Sequence, residues 1–236
     1  MSEIKPGILY SIGIPIGNVR DLSLRAIDLL SSVDIIACEQ TPKLKDLLKR
    51  ASINTKAKFF SYYSYNEKNS SEGIINALLS GLSVAVVSSA GTPRVSDPGY
   101  DLVKKAYLNK IQVVPVPGPS AITAIMSIAP IPVDPLIFVG FISPKEGKRR
   151  STIVKYNYLE ATVCFYESVH RIEKLLKEIL LQWGDVEVFI AREMTKPYES
   201  SYWGTVSGSI SWLVSNKKGE FVVLVHKKAL SEGAGE

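Results

Sequence analysis

Short apolar runs alternate with amphipathic stretches along the chain. Val84–Val87 is apolar throughout, which is typical of a parallel strand covered on both faces. Between such runs, apolar residues recur at helical spacing, and the clearest stripe consists of Ile172, Leu175, Leu176, Ile179 and Leu180. Because strands alternate with helices, the pattern predicts an α/β fold with a parallel sheet.

Three predicted strands end in loops that are rich in glycine and proline. These loops span residues 13–18, 88–99 and 117–120. The carboxyl ends of parallel strands meet at one edge of a sheet, where ligands bind, so the three loops predict a ligand site. In the second loop, Asp97 followed by Pro98 predicts a helix N-cap and first helical residue, and Leu102, Val103, Ala106 and Tyr107 would form the apolar side of that helix.

The organisation changes after the third loop. A predicted helix over residues 120–128 is followed by Pro130, Pro132 and Pro135, which punctuate the chain. We therefore predict an N-terminal α/β domain with a parallel sheet (1–118) and a C-terminal α/β domain with a mixed sheet (119–228). The small and polar residues 229–236 predict a disordered tail.

Composition is that of a soluble globular protein, with 46% hydrophobic and 22% charged residues among 236. Lys and Arg outnumber Asp and Glu by 28 to 23, an excess that permits a polyanionic partner without establishing one. The densest basic run spans residues 144–150. It suits either a solvated helix start or contact with phosphate.

The cysteines and the absence of long apolar runs bear on the compartment. Cys38 and Cys164 lie within apolar runs and predict buried, reduced thiols, and their spacing to His170 and His226 does not suggest a metal site. No apolar run approaches the roughly 20 residues that span a bilayer, and residues 1–7 lack signal-peptide features. The sequence predicts a cytoplasmic protein without metal or membrane contact.

Seven segments together resemble the tetrapyrrole methylase superfamily, and within it the ribosomal RNA small subunit methyltransferase I branch. The resemblance covers roughly residues 8–225 and keeps the order of the motifs. The segments are Pro-Ile-Gly-Asn at 15–18, Cys-Glu with Thr at 38–41, Ala-Gly-Thr-Pro to Ser-Asp-Pro-Gly-Tyr at 90–100, Pro-Gly-Pro-Ser-Ala at 117–121, Phe-Tyr-Glu-Ser with His-Arg at 165–171, Ala-Arg-Glu with Thr-Lys at 191–196, and Lys-Gly-Glu at 218–220.

This resemblance implies two α/β domains with S-adenosylmethionine bound in the cleft between them, and a homodimer. It also implies methyl transfer to the ribose 2′-hydroxyl of a cytidine in the decoding region of small-subunit ribosomal RNA. Matching the motifs residue by residue, the positions expected to line the cofactor are Pro15, Ile16, Thr92, Val95, Ser120, Ala121, Tyr166 and Ala191.

The chemistry of such a transfer requires alignment more than activation of the donor. The sulfonium methyl is already activated, whereas a ribose hydroxyl needs a base, and a carboxylate could contribute about 10²- to 10⁴-fold. Glu39, Glu167 and Glu193 each end a predicted strand and are the candidate bases. The expected substrate contacts are Asn18, Arg171, Arg192 and Lys196. For the three glutamates and the three basic residues, a role in loop salt bridges is the alternative.

Some positions depart from the family pattern. The family usually has Asp where this chain has Gln40 and Ser89, and it has His where this chain has Tyr63 and Tyr65. The chain also resembles a short form, without the small C-terminal domain that is typical of the ribosomal enzymes.

Three alternative functions follow from these features. One is a methylase of a corrin or siroheme precursor, although the loop over residues 13–18 lacks the Gly-x-Gly-Pro-Gly-Asp of those enzymes. Another is a non-catalytic regulatory module that binds S-adenosylmethionine. A nucleotide enzyme is disfavoured, because the phosphate-binding Gly-x-x-x-x-Gly-Lys-Ser/Thr run is absent.

Overall fold

The computed structural model describes residues 7–63, 67–216 and 218–227. Tyr65 and the predicted disordered tail, 229–236, lie outside the described residues. By its internal contacts the chain divides into two compact units, Met1–Ser120 and Ala121–Glu236, and each is described by itself.

Unit 1 contains a parallel sheet with helices on both faces, as the alternating pattern predicts. Its elements are β1 (Ile8–Ile12), α1 (Leu24–Ser32), β2 (Ile35–Cys38), α2 (Thr41–Arg50), β3 (Lys58–Ser61), α3 (Glu67–Leu79), β4 (Val84–Val87), α4 (Tyr100–Leu108) and β5 (Gln112–Val116). All paired strands are parallel, in the order β3-β2-β4-β1-β5.

Burial on both faces explains the uniformly apolar β4. Ala85 and Val87 pack into a core cluster with residues of α1 and α2, whereas Val84 and Val86 pack into a second cluster with residues of α3 and α4. Successive side chains of a strand point to opposite faces, so both sets must be apolar.

The helix after β4 begins later than the sequence predicts. Asp97 is not its N-cap: the N-cap is Gly99, with φ 133°, and α4 starts at Tyr100. Arg94 and Ser96 also have positive φ, at 72° and 66°, so the chain is still turning where a cap was expected. The sequence predicts Tyr107 on the apolar side of this helix, but its side chain is 68% exposed, because α4 buries only the side that holds Leu102 and Ala106.

Unit 2 contains a mixed sheet. Its elements are α5 (Ala121–Ile128), β6 (Leu136–Phe141), α6 (Glu146–Tyr156), β7 (Thr162–Ser168), α7 (Ile172–Trp183), β8 (Glu187–Arg192), β9 (Ser200–Thr205), α8 (Val206–Leu213) and β10 (Glu220–His226). The strand order is β6-β7-β10-β8-β9, in which β6 and β7 are parallel and the other pairs are antiparallel.

The helical stripe of α7 is confirmed as core. Leu175, Leu176 and Ile179 are fully buried against the sheet with residues of α6 and α8. The helix is followed by its C-cap Gly184, whose φ is 83°.

The two cysteines are buried free thiols, as expected, and burial raises the pKa of Cys164 to about 12. In the part of the chain that is described, no helix has the length and apolar character needed to cross a membrane.

Candidate functional site

The loops that follow β1, β4 and β5 are joined by hydrogen bonds. Ile14 and Gly91 form an isolated antiparallel bridge, in which the Ile14 N–H donates to the Gly91 carbonyl at 2.9 Å and the Gly91 N–H donates back at 3.0 Å. The Thr92 hydroxyl donates to the Pro119 carbonyl at 3.1 Å. Since β1 lies between β4 and β5 in the sheet, the parallel topology brings the three loops to one edge, as the sequence predicts.

Glycines allow these loops to touch. A Cβ on Gly118 would lie 2.5 Å from the carbonyl oxygen of Gly13, and a Cβ on Gly13 would lie 2.9 Å from the Cα of Gly118. Gly91 has φ 72°, and a Cβ there would lie 3.3 Å from Cγ2 of Ile16. The edge of the sheet is therefore formed by backbone, which suits close approach of a ligand to peptide groups.

Five of the residues expected to line the cofactor lie in these unit 1 loops. Pro15 is buried, whereas Ile16, Thr92, Val95 and Ser120 are partly exposed. Asn18, an expected substrate contact, is exposed and caps a short 3-10 helix by accepting from the Arg20 N–H at 3.0 Å.

Glu39 is held in place by Ser89. Strands β2 and β4 are neighbours, with Cys38 opposite Val87, so the residues that follow them lie side by side. The Ser89 hydroxyl donates to Glu39 Oε2 at 3.0 Å. An ionised Asp, the residue usual in the family at this position, could not donate such a bond, because it carries no proton.

Asp97, which the sequence pattern predicts only as a helix cap, also belongs to this region. Its pKa is raised to about 6, first by burial and then by the negative charge of Glu39. The only sequence signal was its place in the Ser-Asp-Pro-Gly segment of the motif, because nothing local to Asp97 indicates its closeness to Glu39.

In unit 2, Tyr166 and Ala191 flank Val222 in register. Tyr166 of β7 and Ala191 of β8 are both direct partners of Val222 on the central β10, so the three side chains share one face of the sheet. Ala191 is 2% exposed, and the Tyr166 ring packs edge-on against Phe138 and Phe141, with centroids 4.9 and 5.7 Å away. On this face of the sheet, the aromatic ring of Tyr166 is in one row with the small and apolar side chains of Val222 and Ala191. The remaining expected cofactor residue, Ala121, is partly exposed at the first position of α5.

Glu167 is buried and paired. It is 2% exposed, its Oε1 lies 2.8 Å from Nε of Arg171, and the same oxygen accepts from the Ser168 N–H at 2.8 Å. Burial raises the pKa of Glu167, and the Ser168 N–H and Arg171 oppose that rise only in part. The Arg171 guanidinium also lies over the Phe141 ring, 5.9 Å from its centroid.

Glu193 and Lys196 belong to a cluster with Glu220. Lys196 Nζ lies 2.9 Å from Glu193 Oε1 and 2.8 Å from Glu220 Oε2, and the Glu220 N–H donates to Glu193 Oε1 at 2.9 Å. Burial raises the pKa of Glu193, but the Lys196 and Glu220 hydrogen bonds outweigh it, and the net pKa lies below its ordinary value. Gly219 beside this cluster has φ 112°, a conformation that L side chains rarely adopt, and a Cβ there would overlap Cγ of Glu193.

Arg192 links neighbouring loops through hydrogen bonds. Its Nη1 donates to the Tyr198 carbonyl at 2.9 Å and to the Ser200 hydroxyl at 3.0 Å, and its Nε donates to the Lys218 carbonyl. The structure thus places the predicted residues of unit 1 on its loops, and those of unit 2 near the ends of β7 and β8, except for Ala121 at the start of α5.

The architecture is that of a known class of methyltransferases. A crystal structure of uroporphyrin-III C-methyl transferase from Thermus thermophilus, in complex with S-adenyl homocysteine, superposes with a TM-score of 0.63, covering 92% of this chain and 96% of that one. The two sequences are 17% identical, so this likeness concerns the fold.

Sequence comparison defines the family. The family described as Tetrapyrrole (Corrin/Porphyrin) Methylases matches residues 8–208, and the chain belongs to it. Among similar proteins, Ribosomal RNA small subunit methyltransferase I of Vibrio cholerae is 41% identical over 223 residues, which are 93% of this chain and 77% of that protein. The protein of the same name from Leptospira biflexa is 38% identical over 228 residues, which are 96% of this chain and 94% of that protein.

Proposed function

We propose that the protein is an S-adenosylmethionine-dependent methyltransferase of small-subunit ribosomal RNA, which methylates the ribose 2′-hydroxyl of a cytidine in the decoding region. The observation that carries the proposal is 38 to 41% identity, over more than nine-tenths of the chain, to proteins named Ribosomal RNA small subunit methyltransferase I. We also propose a cytoplasmic homodimer.

The cofactor contacts of this proposal combine backbone and small side chains. In unit 1 they are Pro15, Ile16, Thr92, Val95 and Ser120, on the loops that Gly13, Gly91 and Gly118 allow to touch. In unit 2 they are Ala121, Tyr166 and Ala191. S-Adenosylmethionine supplies the activated methyl group when bound, and these residues would orient it and exclude water.

Among the three candidate bases, Glu39 fits the role best. Its carboxylate is partly exposed, and Ser89 orients it through a single hydrogen bond. The Glu193 carboxylate is instead occupied by Lys196 and the Glu220 N–H, and Glu167 is buried against Arg171. We therefore propose that Glu39 accepts the proton of the ribose hydroxyl, with Glu167 and Glu193 supporting the site.

The proposed substrate contacts differ in their exposure and in their partners. Asn18 is an exposed, uncharged amide, and Arg171 is partly exposed above an aromatic ring while it pairs with Glu167, so both can reach RNA. Arg192 and Lys196 are engaged with loop carbonyls and carboxylates, and we propose that they act on RNA by fixing the loop over residues 192–200.

The test is methyl transfer from labelled S-adenosylmethionine to small ribosomal subunits purified from a strain that lacks this protein, with the modified nucleotide mapped. We expect label on a cytidine ribose in the decoding region. Label on a uroporphyrinogen or precorrin, and none on the subunits, would favour the small-molecule alternative. Binding of S-adenosylmethionine without transfer to either acceptor would indicate a regulatory module.

A further inference from the structure

The basic run over residues 144–150 is not simply a solvated helix start. Its Arg149 is only 9% exposed, although arginine is almost never buried without a partner. Arg149 lies at the end of the first turn of α6 and lines a pocket between α6 and α7. We call this the α6–α7 pocket, defined by Arg149, Arg150, Lys174, Lys177, Glu146 and Glu178.

The charge of Arg149 is not balanced within the described part of the chain. Its Nη1 donates to the Pro144 carbonyl at 3.1 Å, whereas its Nε is buried and has no hydrogen-bond partner there. No described carboxylate forms an ion pair with it. A buried guanidinium in this state is costly, so a bound anion would stabilise it.

Both acidic residues of the pocket pair with Arg150, whose single positive charge offsets one of their two negative charges. Glu178 Oε1 lies 3.0 Å from Arg150 Nε, and Glu146 Oε1 lies 3.1 Å from Arg150 Nη2. Lys177 pairs with Glu173, outside the set that defines the pocket, at 2.6 Å. Lys174 is exposed and forms no ion pair among the described residues, so Arg149 and Lys174 leave the pocket with positive charge to spare.

The N-terminus of α6 adds hydrogen-bond donors. The N-cap of this 11-residue helix is Lys145, which makes no side-chain capping bond to the first turn. The uncapped N–H groups and the helix dipole favour an anion at this end. An arginine whose charge has no described carboxylate partner, a lysine and a helix N-terminus are together groups that recognise phosphate.

We infer that the α6–α7 pocket binds a phosphate group, and that a phosphodiester of the RNA substrate occupies it. The choice of RNA rests on the proposed function, whereas the phosphate chemistry rests on the pocket alone. This contact would position the RNA backbone without reading its sequence.

The test measures RNA affinity and methyl transfer separately. The protein saturated with S-adenosylhomocysteine is titrated with labelled small-subunit ribosomal RNA at several salt concentrations, comparing the wild type with Lys174→Gln, Arg149→Gln and the control Lys104→Gln. Lys104 lies on α4 in unit 1 and is exposed, so its replacement removes the same charge elsewhere.

We expect Lys174→Gln and Arg149→Gln to weaken RNA binding by about 5- to 20-fold and to reduce the salt slope by about 1, with cofactor affinity unchanged. Lys104→Gln should change RNA affinity by less than about 2-fold, because it removes one surface charge that does not belong to the pocket. Equal affinities and salt slopes for Lys174→Gln and Lys104→Gln would overturn the inference. If Arg149→Gln does not fold, the exposed Lys174→Gln decides the result.

A second arm separates RNA from a free anion. Inorganic phosphate should raise the melting temperature of the wild type more than that of Lys174→Gln, and it should compete with RNA. Stabilisation by phosphate without any effect of Lys174→Gln on RNA binding would overturn the assignment to RNA. Wild-type protein that binds RNA through Lys174 but transfers no methyl group would contradict the proposed function and leave this inference standing.

Discussion

Gly13 and Gly118 approach so closely that a Cβ on Gly118 would lie 2.5 Å from the carbonyl oxygen of Gly13. The contact joins the loop after β1 to the loop after β5, at the sheet edge where the proposed cofactor contacts gather. This distance between the Cβ and the carbonyl oxygen is shorter than real Cβ contacts are. A side chain at either position must therefore force the loops apart.

Gly118→Ala should therefore weaken S-adenosylhomocysteine binding by at least about 10-fold and lower the free energy of unfolding by about 1–3 kcal/mol, a typical cost of overpacking. Calorimetric titration and urea unfolding measure the two effects. The matched control is Gly147→Ala, because a Cβ at Gly147 meets nothing within 4 Å. Wild-type cofactor affinity in Gly118→Ala would show that the close approach does not shape the site.

Glu39→Gln should lower kcat by about 10²- to 10⁴-fold, because the amide keeps the shape of the side chain but does not accept a proton as a base. Ser89→Ala should lower kcat by only about 3- to 10-fold, since it removes the hydrogen bond that orients Glu39 but leaves the carboxylate. Cofactor affinity should stay unchanged in both. Single-turnover methyl transfer to small subunits provides the measurement, and near-normal kcat in Glu39→Gln would remove Glu39 as the base.

Asp97 should make stability depend on pH in a defined direction. Its pKa in the folded protein is about 6, against an ordinary 3.8, so the folded state holds the proton more tightly than the unfolded state. The contribution of Asp97 is thus fully favourable below about pH 4 and is lost as pH rises through about 6.

It follows that Asp97→Asn should raise the free energy of unfolding by about 1–2 kcal/mol at pH 8, a value discounted for the partial exposure of Asp97, and change it little at pH 4. Urea unfolding at the two pH values provides the comparison. Asp28→Asn, on the exposed side of α1, is the control and should stay within about 0.5 kcal/mol at both. Equal effects of Asp97→Asn at pH 4 and pH 8 would contradict the raised pKa.

We expect the replacement of Lys196 to lower mainly the stability of the protein. Removing its charge in Lys196→Met leaves Glu193 and Glu220 facing each other, so the free energy of unfolding should fall by about 1–3 kcal/mol at pH 7. The pKa of Glu193 is below its ordinary value, so its stabilising contribution is present at neutral pH and lost as pH falls through the folded-state pKa.

The effect of Lys196→Met should accordingly shrink toward pH 3, as urea unfolding would show. Arg50→Met is a control that breaks an exposed pair, with side chains 57% and 65% exposed, and should cost under about 1 kcal/mol. Unchanged stability of Lys196→Met with a raised KM for small subunits would instead indicate direct contact between Lys196 and RNA.

Local patterns in the sequence determined the elements. The four apolar residues of β4 and the stripe of α7 specify a doubly covered strand and a core helix, because burial on two faces or on one stripe imposes a distinct period. The alternation of strands and helices also predicted that the loops after β1, β4 and β5 lie side by side, since parallel strands end at one edge of a sheet. The family motifs supplied the rest of the predicted site residues.

Only the tertiary structure decided what those residues do. Two of the candidate glutamates have a partner far away in sequence, Ser89 for Glu39 and Glu220 for Glu193, whereas Glu167 pairs with Arg171, which follows it by four residues. The start of α4 at Tyr100 depends on the positive φ of Arg94 and Ser96, which no local rule for Asp97-Pro98 contains. The buried charge of Arg149 and the raised pKa of Asp97 likewise arise from neighbours that folding brings together. Periodicity encodes which face of an element is buried, whereas partner and charge environment depend on distances between elements, which the sequence pattern leaves open.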